Sequence, residues 1–308
     1  MVIEKAVVVI CTHNPQPNKL QRALLAISAN EGNFRLVVIN NASTNTDKWL
    51  SMLPKSHEYL MEMQLGNSFA RSKALKIVKK DELLIFVDDD NYINSDYISS
   101  AIEIANTFPT WGVFGGSQTK LDYLNVPKLF QNLLPFVGIR TLGPNTKSAL
   151  ADLNWNPLEP IGAGMCMRPE VVKIAKSNIS KPSGGLNYFS LGRKGKKLLS
   201  GEDSYLARQA FYGNFDWGYS PKLNLLHDID PKRLSIRYFV RLFLGYGRTD
   251  VMLNIILNAK KDYALPIGII GALESYFGSS ILKKNGPFSP IFHFGQYFEL
   301  RRQIKLSK

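Results

Sequence analysis

Cysteine is nearly missing from this chain of 308 residues: only Cys11 and Cys166 occur, each inside an apolar run. A disulfide-stapled fold is thereby excluded, and a reducing compartment such as the cytosol is expected. Acidic residues are the minority, 25 Asp and Glu against 38 Lys and Arg, which leaves a formal charge of +13. That imbalance calls for a polyanionic partner, whether nucleic acid, an anionic membrane surface or a phosphorylated ligand. An unbroken apolar run of spanning length is also lacking. The nearest approach, residues 265–282, carries Pro266, Glu274 and several glycines, whereas a spanning helix needs about 20 predominantly apolar residues. No basic segment with a cleavage site precedes the first strand-like run, so no secretory signal is expected. Nor does a glycine-rich, lysine-bearing loop that could cradle a triphosphate stand near that run.

What is present is ordinary globular material, 45% hydrophobic and 20% charged, long enough for one large core or two smaller ones. Residues 6–11 are a β-branched run broken by Thr12, His13, Asn14 and Pro15. Leu20, Leu24 and Ile27 then recur at helical spacing, residues 36–39 form a second apolar run, and residues 40–45 are rich in turn formers. Residues 60–63 read as a short strand and Ala70, Ala74, Ile77 and Val78 as a helix. Such alternation predicts a parallel α/β sheet with right-handed crossovers, its polar loops gathered along one edge. A helix over residues 96–105 and a strand over 111–116 follow, while residues 120–156 show no regular pattern and are interrupted by Pro127, Pro135 and Pro144, with Pro157 just beyond. Residues 161–167 read as a buried, glycine-bearing strand, and Pro169 suits the first turn of a helix. Residues 176–200, rich in Ser, Gly and Lys, read as a mobile basic loop or a solvated linker.

Chemistry concentrates at residues 83–91, where an apolar strand ends in Asp88, Asp89 and Asp90. Three adjacent carboxylates repel one another, and a divalent cation such as Mg²⁺ or Mn²⁺ among their oxygens relieves that repulsion and bridges to a ligand phosphate. The carboxyl end of an inner strand is also where open α/β sheets bind ligands. The plain alternative is a solvated acidic turn. A second acidic pair, Glu202 and Asp203 after Gly201, heads a helix, where capping and the helix dipole offer a structural explanation.

Taken in order, these motifs resemble the inverting glycosyltransferases of family 2, with the GT-A fold. The likeness spans about residues 7–248. It rests on Thr12-His13-Asn14 after Cys11, the 40–45 loop, Gly66 with Arg71, Asp88-Asp89-Asp90, and Gly162-Ala163-Gly164-Met165 with Arg168. Gly201-Glu202-Asp203 and Gly245-Tyr246-Gly247-Arg248 complete the set. The resemblance implies that Thr12, Asn14, Asn40 and Asn41 hold the base and ribose of a nucleotide-sugar donor, and that Arg71 meets its diphosphate. Asp90 and Asp88 are implied metal ligands for Mn²⁺ or Mg²⁺, with Asp88 nearer the ribose, Asp89 sharing either task and His227 a further contact. Asp203 matches the family's general base, Glu202 being the second candidate, and Gly162, Ala163, Gly164 and Met165 would floor the acceptor and sugar site. Two departures stand out: Asn40 or Asn41 replaces an Asp that usually accepts the uracil N3 proton, and His13 replaces a Tyr. An Asn carbonyl accepts that proton without the charge, so UDP remains the leading donor nucleotide.

From Lys222 onward there are fourteen Lys or Arg against six Asp or Glu, so the excess positive charge extends beyond the catalytic motifs. Ile236, Val240 and Phe243 are expected to form the apolar face of a basic helix, with Arg233, Arg237 and Arg241 on another. Residues 265–282 are expected to lie in a membrane interface, with Lys283, Lys284, Arg301 and Arg302 on the headgroups, or else to cap the sheet. The division follows as residues 1–228, a GT-A catalytic domain, and residues 229–308, a helical and basic extension. The expected protein is a cytoplasmic enzyme, peripheral on the inner face of the cell membrane. It would transfer sugar to a glycan or lipid-linked glycan in surface-polysaccharide assembly, with no nucleic acid partner. A metal-dependent sugar nucleotidyltransferase and a catalytically inactive assembly subunit are the alternatives.

Overall fold

A computed structural model of the protein describes residues 2–122, 124–193, 198–259 and 288–306. Four strands form one half of the sheet, β1 (Lys5–Thr12), β2 (Phe34–Asn41), β3 (His57–Glu62) and β4 (Glu82–Phe86), lying side by side in the order β3-β2-β1-β4 and all parallel. The apolar runs of β1, β2 and β4 suit strands buried on both faces, whereas β3, at the edge, has no fully buried residue. Because side chains alternate, Val7, Val9, Leu84 and Phe86 enter one core while Val8, Ile10, Leu83 and Ile85 enter the other.

Each core is closed by helices. On one side α1 (Pro17–Ser28) buries Leu20, Leu24 and Ile27, and α3 (Tyr97–Thr107) buries Ile98, Ala101 and Ile104. On the other, α2 (Asn67–Ile77) contributes Ala70, Ala74 and Leu75, and α5 (Pro169–Asn178) contributes Val171, Val172 and Ala175. Proline at the start of α1 and α5 fits the first turn, where no amide donor is needed.

Beyond β4 the sheet turns mixed. β8 (Cys166–Met167) runs antiparallel to β4 and to β6 (Trp111–Lys120), which pairs in parallel with β9 (Asp216–His227). β5 (Asn91–Ile93) and β7 (Lys147–Leu150) both join β9 antiparallel. A third apolar cluster joins α4 (Lys128–Gln131) and the turn after it to α7 (Ile236–Leu257), through Phe130, Val137, Phe239 and Phe243. The final described helix, α8 (Ser289–Leu306), packs on α7, and Glu299 is buried there between Arg248 and Arg302.

Several expectations are corrected. Of residues 161–167 only Cys166 and Met167 are strand; Gly164, at φ +75°, turns the chain before them. Asn40 and Asn41 belong to β2 rather than to the loop after it. The described part of residues 176–200 is neither a mobile loop nor a solvated linker, since Leu186, Tyr188 and Leu191 are buried and Asn187 caps a short turn of helix. On α7 the buried face is Phe239, Leu242 and Phe243, while Ile236 and Val240 are exposed. Residues 265–282, with Lys283 and Lys284, lie outside the described residues; among those described, no helix is long and apolar enough to cross a membrane.

Candidate active site

The chain leaves β4 at Phe86, and the three acids that follow each find a different partner. Asp88 Oδ1 lies 3.5 Å from Arg71 Nη2. Asp89 accepts a hydrogen bond from the Thr12 hydroxyl at the end of β1. Asp90 Oδ1 stands 3.5 Å from His227 Nε2 at the end of β9, and its Oδ2 stands 3.8 Å from Arg233 Nη2. Arg71 beside Asp88, and His227 with Arg233 beside Asp90, thus relieve part of the crowding of like charge, while Asp89 has only a hydroxyl among the described residues. The titrations diverge in consequence. Burial, with Asp90 adding to it, pushes Asp89 up to about 7. Burial acts upward on Asp90 too, but His227, Arg233 and Lys19 outweigh it and hold that carboxyl below the usual range. Burial alone would lower His227; Asp90 overrides it and raises the imidazole's pKa, while the Gly138 carbonyl lies 2.9 Å from Nδ1.

The second acidic pair begins α6 (Glu202–Arg208). Asp203 Oδ2 accepts the Gly162 N–H at 3.1 Å, and its Oδ1 accepts the Ser204 N–H at 2.9 Å. Two backbone donors therefore fix its orientation. Glu202 is buried, with Oε1 accepting from Asn67 Nδ2 at 2.8 Å and Oε2 left without a partner. Burial first, then the neighbouring Asp203, raises its pKa.

Arg71 joins the two acidic groups. It is 3% exposed, its guanidinium lies 4.7 Å from the Phe86 ring centroid, and its Nε and Nη1 have no partner. Burial works against its charge, but Asp88, Glu202 and Asp203 together hold the pKa up. Gly162 makes this packing possible, since a β-carbon there would meet Arg71 Nη2 at 2.6 Å. Arg71, Asp88, Asp89, Asp90, Gly162, Glu202, Asp203, His227 and Arg233 line one cleft of about 520 Å³ with Thr12, Asn41 and Ala163. An adjoining pocket of about 360 Å³ is lined by Asn14, Lys19, Asp89, Asp90, Lys232 and Arg233.

Most residues singled out in the sequence gather here, and three stand back. Asn40 is fully buried, donating to the Tyr59 hydroxyl at 2.7 Å and accepting the Ser43 N–H, so it shapes the loop. Met165 is buried in a core and Gly164 accepts the buried Tyr97 hydroxyl, so Gly162 and Ala163 alone of that run line the cleft. Asn41 reaches the cleft, though its side chain is committed to Gln64 and Gly66. Sequence reasoning missed Phe136, Val137, Gly138, Tyr238 and Tyr246 as lining residues, and it placed Arg233 only on a helix face. They come from the unpatterned segment and from α7, where periodicity says nothing about a distant cleft, and Arg233 lies not on that helix but in the short turn Pro231–Arg233 before it.

The donor set suits a hard divalent cation. Asp90, held below the usual carboxylate range, and Asp88 could supply oxygen ligands, and Mg²⁺ or Mn²⁺ takes one or two carboxylates together with substrate phosphates. Among the described residues no three His, Cys, Asp or Glu side chains converge as a ready-made ligand cluster. His227, held toward its protonated form by Asp90, would become a ligand only by releasing that proton.

A mostly parallel, helix-flanked sheet whose strand ends carry this acidic and basic cleft defines a glycosyltransferase of the GT-A class. The sequence profile described as glycosyl transferase family 2 matches residues 7–172, over half of the chain. The protein belongs to glycosyl transferase family 2. The crystal structure of S. aureus TarS 1-349 is similar over 99% of this chain and 92% of that one, with 16% identity and a TM-score of 0.50. The same fragment in complex with UDP gives 16% identity, the same coverages and a TM-score of 0.51. At that identity the likeness speaks for the fold alone. No curated protein matches the chain.

Proposed function

We propose that this glycosyltransferase moves a sugar from a nucleoside diphosphate, UDP in the first instance, to a hydroxyl of a glycan or lipid-linked glycan, with inversion. The observation that carries it is the position of Gly162, whose N–H holds Asp203 and where a β-carbon would run into Arg71. A carboxylate base and a cation for the leaving diphosphate therefore share one cleft. Asp203 takes the proton of the acceptor hydroxyl as that oxygen bonds to the anomeric carbon, and the bond from that carbon to the diphosphate breaks. Arg71, with two N–H-bearing nitrogens unpartnered, receives the negative charge that grows on the diphosphate. Asp90 and Asp88 would hold Mn²⁺ or Mg²⁺, which supplies Lewis-acid neutralisation of that same charge. Thr12, Asn14 and Asn41 stand on the nucleotide side, and Asp89, fixed by Thr12, lies between nucleotide and metal ligands. UDP is favoured because the TarS fragment of the same fold was crystallised with it.

The setting we propose is the inner face of the cell membrane, in assembly of a surface polysaccharide, where the basic C-terminal helices meet anionic lipid. Incubation with Mn²⁺ and a panel of nucleotide sugars tests the reaction. Acceptor-dependent release of a nucleoside diphosphate is expected. Release of pyrophosphate, or no release from any donor, would overturn it.

A further inference from the structure

Helix α7 presents three sides. Tyr238 and Tyr246 line the cleft, whereas Phe239, Leu242 and Phe243 are buried in the third core. Ile236, Arg237, Val240 and Arg241 stay exposed, with 58% of Ile236 and 37% of Val240 open to solvent. At about 100° per residue these four fall within one arc of roughly 140°. Helix α4 lies alongside, because the ring of Phe130 stacks on that of Phe239 at 5.3 Å. Its neighbours Lys128 and Leu129 are exposed, Leu129 to 62%. No Asp or Glu occurs in residues 124–137 or 231–249.

Three bare aliphatic side chains set among cations suit an amphiphilic partner. Nucleic acid would reward the cations but gives Leu129, Ile236 and Val240 nothing to enter. An anionic bilayer rewards both, through headgroup phosphates and the acyl boundary. We propose that the outer face of α4 and the first turns of α7 seat the protein on an anionic lipid bilayer, with Leu129, Ile236 and Val240 inserted and Lys128, Arg237 and Arg241 on the phosphates. The assignment rests on the reading that the acceptor is membrane-linked. Tyr238 and Tyr246, which line the cleft, lie on the opposite side of the helix from this arc, so the seated face leaves the cleft lining free.

The test is sedimentation of the full chain with vesicles of phosphatidylcholine alone and with added phosphatidylglycerol. Binding is expected only with phosphatidylglycerol and should weaken as salt rises. Arg237→Gln with Arg241→Gln should weaken it roughly 25-fold, about fivefold for each cation removed. Ile236→Asn with Val240→Asn should weaken it without any change of charge. Both pairs should keep the wild-type melting temperature and the wild-type release of nucleoside diphosphate from soluble donor. Vesicle binding unchanged in either pair, or no binding by the wild-type chain, overturns the assignment. Loss in the arginine pair alone would mark a site for a soluble polyanion instead. Failure of the wild-type chain to release nucleoside diphosphate from any donor would sink the enzymatic proposal separately, since vesicle binding is read without turnover.

Discussion

Arg71 Nη2 stands 3.5 Å from Asp88 Oδ1, and Gly162 closes on it so tightly that a β-carbon would lie 2.6 Å from the same nitrogen. The guanidinium is thus held between Asp88, a proposed metal ligand, and the loop whose Gly162 N–H holds Asp203, the proposed base. Replacement by Lys keeps the charge but loses the planar fork and its stacking on Phe86. We expect Arg71→Lys to weaken nucleoside diphosphate binding by about 2 kcal/mol, roughly thirtyfold, as charge-assisted hydrogen bonds are lost. Titration calorimetry measures it.

Gly162→Ala forces the new methyl against Arg71 or pushes the loop away from Asp203. Overpacking of this kind costs about 1–3 kcal/mol. The loss should fall on turnover more than on melting, because the displaced groups face a cleft and not a core. Steady-state kinetics beside a thermal melt separates the two.

Asp89 provides a pH signature. Its native pKa, raised to about 7, exceeds that of the unfolded chain, so the stability it contributes is present below the unfolded value and is lost as pH rises toward 7. Asp89→Asn removes an ionisation that the fold disfavours. It should therefore stabilise the ligand-free protein by about 2 kcal/mol at pH 8 and by less at pH 5. Denaturant unfolding at the two pH values checks the sign.

Gly247→Ala probes the helical extension. Its β-carbon would fall 1.9 Å from the Phe292 carbonyl oxygen, backbone that cannot rotate aside, so α7 and α8 must separate. A destabilisation of about 2 kcal/mol or more is expected by urea unfolding.

Where apolar patterning was dense, the sequence disclosed the fold. The runs at β1, β2 and β4 and the helical spacing of Leu20, Leu24 and Ile27 announced an α/β sheet, and the three loops expected on one edge do meet. Thr12 bonds Asp89, and Asn14 bonds the backbone and hydroxyl of Thr44. Long-range closure was not legible. The turn at residues 134–138 reaches the site because Gly138 bonds His227, a contact between residues 89 apart that no local pattern encodes. Asn40 misled for a related reason: it is one of the two residues, with Asn41, set against the family's acid, yet Tyr59 on the neighbouring strand takes its amide. On α7, Ile236 and Val240 have helical spacing, but Phe239 and Leu242 found the partners, and burial follows partners.

The most direct test of the central claim is Asp203→Asn, assayed in parallel for donor binding and for transfer. The substitution keeps the side chain's size and one of its two backbone contacts, the amide oxygen accepting from either Gly162 or Ser204, but removes the proposed base. Donor affinity should stay within about twofold of wild type while transfer falls by about a hundredfold or more. Transfer at the wild-type rate would show that Asp203 is not the base and would contradict the account.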